Sequence, residues 1–265
     1  MNKMQNFICG GSTLNADTKV CLSVIIPAFN EERRLPETLA VVWTYLTAAI
    51  PEFEILVVDD GSLDNTAKVA KRFAADHKGV RVISYQPNRG KGRAVKVGMQ
   101  EGRGEFMLFL DADLATPIEE TGSLFKQLAS GYDVAIGSRA VCGSQLLVRQ
   151  PWYRELGGRT FNLVIQLFAL PGIRDTQCGF KLFSRRAALE IFARCAEDGF
   201  GFDIEVLYLA RRLGYKIAEV PVRWRHVGES KVRLIRDALR MFASTARVVR
   251  HHRGIKAVTD ESCRV

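Results

Sequence analysis

The chain has 265 residues, 47% hydrophobic and 25% charged, the proportions of an ordinary globular protein, and is long enough to bury roughly 70–75% of its unfolded surface. No repeat of 20–50 residues and no low-complexity tract is present, which excludes a solenoid. Nowhere do about 18 apolar residues run together, which argues against a spanning helix. The formal net charge is +9, so an anionic partner is expected: nucleic acid, a phosphorylated ligand or a membrane surface.

Residues 1–20 hold only a scrap of apolar sequence and read as a flexible tail, without the apolar core of a signal peptide. Next come five short strand-like runs: LSVIIPAF (22–29), FEILVV (53–58), VRVISY (80–85), FMLFL (106–110) and DVAIG (133–137). Helix-length segments at 36–50, 64–77, 90–102 and 117–130 separate them. Pro36 suits a first helical position and Gly79 a C-terminal cap, and Thr116-Pro117-Ile118-Glu119 reads as a capping box. Strictly alternating strands and helices predict an α/β domain over 21–228, with a mostly parallel central sheet and helices on both faces.

Farther on, the most apolar stretch, FNLVIQLFALPGI from Phe161, contains Gln166 and is stopped by Pro171 and Gly172. Glu229–Arg253 carries seven Lys or Arg against two Asp or Glu. Ile235, Leu239, Phe242, Ala246 and Val249 form one helical stripe, and Arg233, Arg236, Arg240 and Arg247 another. Residues 229–265 are therefore expected to be a basic amphipathic helix and tail. Such a helix lies on an anionic membrane or packs on the core with its charged face solvated; both readings stay open. The six cysteines have no CxxC pair and no zinc-ligand spacing, and read as reduced thiols of a cytosolic protein.

In open α/β sheets, ligands bind outside the carboxyl ends of the strands. Five polar loops follow the five strands: PAFNEE, DDGSLD, PNRGKGR, DADLAT and GSR. NRGKGR (Asn88–Arg93) opens a helix with two glycines and three cations. Cations there oppose the helix dipole, unless an anion such as phosphate occupies the turn. It is neither a Walker loop nor a dinucleotide fingerprint. In DDGS, Gly61, Ser62 and Asp64 suit turn and cap chemistry, whereas Asp59 ends its strand as an acceptor for a base or ribose. Asp111 and Asp113 repel each other at a strand end, so a cation is expected between them. Two carboxylates beside a phosphate loop suit Mg²⁺ or Mn²⁺ completed by substrate phosphates.

Taken together, PAFNEE, VDDGSLDNT, NRGKGRAV, DADLAT, GSR and RDTQCGFKLFSRRAA resemble family 2 glycosyltransferases of the GT-A fold. Within that family the chain most resembles the dolichyl-phosphate β-glucosyltransferases, over about residues 22–245. The resemblance implies that Pro27, Ala28, Phe29, Glu31, Asp59 and Asp60 line or neighbour the nucleoside pocket, with Ala112 beside the ribose. Lys91 and Lys231 would meet the diphosphate, and Asp111 and Asp113 the metal. Arg139, Arg154, Arg174 and Lys181 would meet the acceptor phosphate, with RDTQCGFK as the floor of that site. Asp113, Arg139 and Asp175 would be the catalytic residues. The mannose synthases place Gln two residues after the second Asp, where this chain has Ala115, which points to the glucosyl branch. The endoplasmic-reticulum glucosyltransferases begin with a membrane helix, and residues 1–20 hold no such run.

The implied reaction moves glucose from UDP-glucose to a polyprenyl monophosphate with inversion, at a membrane's cytosolic face. GDP-mannose, another donor sugar or a soluble hydroxyl acceptor remain alternatives. A prenyl phosphate already carries about −1.5 to −2 charges at pH 7, so no strong base is required. Nucleic acid is not expected as partner, because the basic residues are not interleaved with base-stacking aromatics. A nucleotidyltransferase would need an Arg-containing glycine-rich first loop where PAFNEE stands.

Overall fold

A computed structural model of the protein describes residues 20–148, 162–227 and 234–255, with the side chains of the last segment described from residue 243. Arg154, Lys231 and the N-terminal tail lie outside the described residues, as do the side chains of Arg233, Ile235, Arg236, Leu239, Arg240 and Phe242.

The first half follows the strand–helix alternation. β1 (Leu22–Ala28), β2 (Phe53–Asp59), β3 (Val80–Ser84), β4 (Phe106–Leu110) and β5 (Val134–Ser138) fall within a residue or two of the expected runs. Between them lie α1 (Leu35–Ala49), α2 (Thr66–Asp76), α3 (Lys91–Glu101) and α4 (Thr121–Ala129). Pro36 sits in the first turn of α1, and Gly79 takes φ +89 after α2. The capping box before α4 is not formed. Pro117 is extended, Ile118–Glu120 make a 3₁₀ turn, and the Thr116 hydroxyl lies 3.8 Å from Cys178 Sγ instead of capping.

Four further strands lie beyond those expected from the sequence: β6 (Gln145–Val148), β7 (Phe180–Ser184), β8 (Ile217–Pro221) and β9 (Arg223–Arg225). The main sheet runs β3-β2-β1-β4-β7-β5-β8, while β6 and β9 pair separately. All its neighbours are parallel except β7, which is antiparallel to both β4 and β5. The remaining helices are α5 (162–168), α6 (Arg185–Arg194), α7 (Phe202–Arg212) and α8 (Leu234–His252).

The central strands are apolar on both faces because each face is covered. On β1, Val24 and Ile26 join a core with Leu39, Val42 and Leu46 of α1. Ile25 points the other way, to Val95 and Met99 of α3 and Ile204 of α7. The same alternation divides Leu108 from Phe109 on β4, as a period of two requires.

Among the described side chains of α8 the buried ones are Ser244, Thr245, Val248 and His252. Ala246 of the expected apolar stripe is exposed, and Val249 is half-buried. Polar anchors hold the described end of the helix on the core: Ser244 and His252 bond to Glu197 and Glu205. Among the described residues no helix is long and apolar enough to cross a membrane.

Candidate active site

The parallel strands bring their carboxyl ends to one edge of the sheet, and the antiparallel β7 begins at that same edge. The five polar loops therefore meet a sixth, DTQCG (175–179), which 58 residues separate from DADLAT (111–116) in the sequence.

The loops after β1 and β2 are cross-tied. Asn30, at φ 55, accepts from Leu63 N at 2.9 Å and donates its own N–H to Ser62 Oγ at 2.9 Å. An asparagine tolerates that left-handed conformation better than most residues. The Glu31 N–H donates to Thr66 Oγ1 at 2.7 Å, and its carboxylate pairs with Arg34 at 3.0 Å. Pro27 and Ala28 close β1 in buried positions, and Phe29 follows half-buried. Asp59 is buried and accepts from Ser62 N at 3.2 Å. Asp64 receives the N–H of Thr66 at 2.9 Å, the turn-and-cap role its loop suggested.

Asp60 faces the third loop. Its carboxylate accepts from Asn88 Nδ2 at 2.7 Å, Arg89 N at 2.9 Å and Gly90 N at 2.8 Å. That carboxylate is spent in shaping the NRGKGR loop.

The DAD turn is held from three sides. Thr38 donates to the Ala112 carbonyl at 2.7 Å, Asp111 N to the Gly179 carbonyl at 3.1 Å, and Ala115 N to Asp113 Oδ1 at 3.0 Å. Gly179 is required by contact: a Cβ there would overlap the Asp111 carboxylate. Lys91 Nζ lies 2.6 Å from Asp111 Oδ1, with the Phe109 and Phe202 rings 5.2 and 5.9 Å away. Burial would lower the Lys91 pKa, but Asp111 and then Asp203 override it and hold the ammonium above its ordinary value. Burial, and next the Asp111 charge, push the Asp113 carboxyl up. A side-chain cation thus rests against Asp111, one of the two acids that called for a cation, and Asp113 stays under repulsion.

Just past β5, Arg139 forks onto Asp175 through Nε at 2.7 Å and Nη2 at 2.8 Å. Its guanidinium lies 5.4 Å from the Trp224 ring centre. Burial works against the Asp175 carboxylate, yet Arg139 overrides it and holds the pKa below its ordinary value. Glu219 accepts the backbone N–H groups of Arg174 and Asp175 at 2.8 and 3.0 Å, while Arg174 itself is exposed.

Lys181 departs from expectation. It is 1% exposed, and its ammonium is paired with Asp203 and donates to the Cys178 carbonyl at 2.7 Å. Its place among the buried residues 180–183 of β7 turns that charge inward, so it is not a surface cation open to an acceptor phosphate. Asp203 was not singled out in the sequence. Its signal was an acid inside the apolar helix FDIEVLYLA matched by a lysine inside the apolar strand FKLF, since buried charges occur in pairs.

The donor set suits a hard divalent ion: two carboxylates in one turn, the Asp111 side chain 31% exposed, and a like-charge conflict that a dication relieves.

The chain matches the family model "Glycosyl transferase family 2" over residues 23–192. It is 42% identical over 224 residues to the dolichyl-phosphate beta-glucosyltransferase of Drosophila melanogaster, covering 80% of this chain and 69% of that one. The human protein of that name is 38% identical over 224 residues, with 80% and 69% covered. The Saccharomyces cerevisiae protein is 36% identical over 243 residues, with 85% and 73% covered. Among solved structures, the glucosyl-3-phosphoglycerate synthase of Mycobacterium tuberculosis in complex with UDP shares the fold. Its TM-score is 0.63 at 21% identity, with 87% of this chain and 80% of that one covered. The same enzyme with Mn²⁺ and UDP-glucose gives 0.62 at 20% identity, with 86% and 78% covered. A domain of this architecture, with these loops on one sheet edge, is a GT-A glycosyltransferase. The chain belongs to glycosyl transferase family 2.

Proposed function

We propose that the protein transfers glucose from UDP-glucose to a dolichyl-type polyprenyl monophosphate, with inversion at the anomeric carbon. The observation that carries this reading is the convergence of Lys91, Asp111 and Asp113 with the Arg139–Asp175 pair on one sheet edge. The names of the relatives, at 36–42% identity over most of the chain, support the same donor sugar and acceptor.

The loops after β1 and β2 would hold the uridine, through Pro27, Ala28, Phe29, Glu31 and Asp59, with Ala112 beside the ribose. Asp60 would act one step back by fixing the phosphate loop. Asp111 and Asp113 would hold Mg²⁺ or Mn²⁺, which when bound neutralises charge on the departing diphosphate; the Mn²⁺ complex of the M. tuberculosis relative supports a divalent ion. Lys91 then turns from Asp111 to the diphosphate, where Lys231 would join it. Arg139, oriented by Asp175, would hold the acceptor phosphate in line with the anomeric carbon, with Arg154 and Arg174 around it. The acceptor dianion is itself the nucleophile, so no protein carboxylate needs to take a proton.

The domain over 21–228 would carry the chemistry, and the basic segment 229–265 would bring it to the cytosolic face of a membrane. Leu163, Leu167 and Phe168, exposed on α5, suit the same surface. The test is product analysis with labelled UDP-glucose and polyprenyl phosphate, beside a panel of UDP- and GDP-sugars. Label should enter the lipid fraction from UDP-glucose in a metal-dependent manner. Transfer from GDP-mannose instead, or transfer to water-soluble hydroxyls, would replace this reading.

A further inference from the structure

The phosphate-facing turn at the start of α3 leans on a wall formed by residues 197–199. A Cβ at Gly90 would drive into the Asp198 carbonyl oxygen. One at Gly92 would lie 2.5 Å from the Glu197 carbonyl oxygen and 2.7 Å from Phe202 Cβ. The Arg93 N–H donates to the Asp198 carbonyl at 3.1 Å, and the Phe202 ring faces the Lys91 ammonium.

That wall is a connection between α6 and α7 without regular structure, so its position is fixed from outside. Glu205, 1% exposed, gathers it by accepting from Ala196 N at 3.0 Å and Glu197 N at 2.8 Å. His252, the last residue of α8 and 2% exposed, places Nε2 at 2.7 Å from the same carboxylate. Ser244 donates to the Glu197 carboxylate at 2.5 Å, and Arg247 pairs with it at 3.5 Å. A continuous set of bonds therefore runs from the C-terminal helix to the turn that carries Lys91.

We infer that α8 is a strut of the donor site, in which His252 and Ser244, through Glu205 and Glu197, act as positioning residues for the diphosphate-binding turn. The inference rests on the assignment of that turn to the donor. The two glycines leave no slack, so a displacement of the Asp198 carbonyl passes directly to the Arg93 N–H and to Lys91. Docking of α8 and binding of nucleoside diphosphate are then coupled, and the coupling is reciprocal.

The test uses the full chain with UDP and Mn²⁺. His252→Ala should weaken UDP binding about 5-fold or more, measured by calorimetry, and raise KM for UDP-glucose by the same factor, a typical size for coupling between sites. The kcat and the KM for polyprenyl phosphate should hold. His252→Gln, which keeps a donor toward Glu205, should recover part of the loss. Val248→Ala trims the same buried face without touching this set of bonds; it should lower Tm and leave UDP affinity unchanged. In the wild type, UDP with Mn²⁺ should slow amide exchange across residues 244–252. Unchanged exchange there, or equal effects of His252→Ala and Val248→Ala on UDP affinity, would reduce α8 to packing and overturn the inference. A wild type that binds no UDP overturns it through the donor assignment, whereas normal UDP binding in the His252 variants overturns the strut alone.

Discussion

Asp113 is burdened by burial and by Asp111, and a dication relieves both burdens. Asp113→Asn should lower turnover by roughly two orders of magnitude or more, the size of loss when one charge-stabilising group is removed; steady-state rates with excess metal check it. Gly179→Ala should do comparable damage without a metal ligand being altered, because the new methyl overlaps the Asp111 carboxylate. Circular dichroism should show the variant folded. Arg139→Ala should raise the acceptor KM by about 10- to 150-fold, the equivalent of about 1.5–3 kcal/mol for a charge-assisted contact, and leave UDP affinity unchanged. The pH profile separates a phosphate nucleophile from a protein base. Asp175 has its folded pKa held below 3.8, so its pairing stabilises the fold at neutral pH and is lost only as pH falls below that value. A fall in rate through about pH 6, as the acceptor phosphate gains its second proton, therefore has another origin and should persist in Asp175→Asn. A prenyl phosphonate acceptor, which holds its second proton more tightly, should move the fall to higher pH.

Between elements, the Lys181–Asp203 pair ties β7 to α7 inside the sheet's second core. Burial raises the Asp203 pKa despite the opposing pull of Lys181, which marks the pair as costly to leave half-made. Asp203→Asn should cost about 3–5 kcal/mol and lower Tm by on the order of 10 °C. The double variant Lys181→Met with Asp203→Leu should regain most of that, since a well-packed apolar pair avoids the desolvation cost. Thermal unfolding of the two variants decides. The Ser184 cap of α6, which accepts from Ala187 N at 3.4 Å, is a milder case. Ser184→Ala should cost about 1 kcal/mol.

For the whole molecule, the surplus of positive charge is concentrated toward one end of the sequence, and α5 exposes Leu167 and Phe168 at 69% and 76%. Flotation with liposomes should show binding that requires anionic lipid and weakens as salt shortens the screening length. Equal binding to neutral vesicles would remove the electrostatic part of this reading. The docked face of α8, with Ser244, Val248 and His252 turned to the core, leaves its exposed arginines for such a surface.

The strand–helix order, the loops of the first half and the acids after β4 were legible in the sequence, because they depend on local rules: buried strands are apolar, helices begin and end on recognisable residues, and paired carboxylates demand a cation. What the local rules could not reach was set by pairings between distant residues. β7 enters the sheet antiparallel between β4 and β5, and this alone brings Gly179 against Asp111 and Asp175 to Arg139. Lys181 looks like an available cation in RDTQCGFK, but its partner Asp203 stands 22 residues away on another element. The spacing gives an apolar stripe along α8 and leaves open which face meets the core. Its described end is anchored by the bonds of Ser244 and His252 to Glu197 and Glu205, and a charge buried in one element takes its partner from another that the sequence does not place beside it.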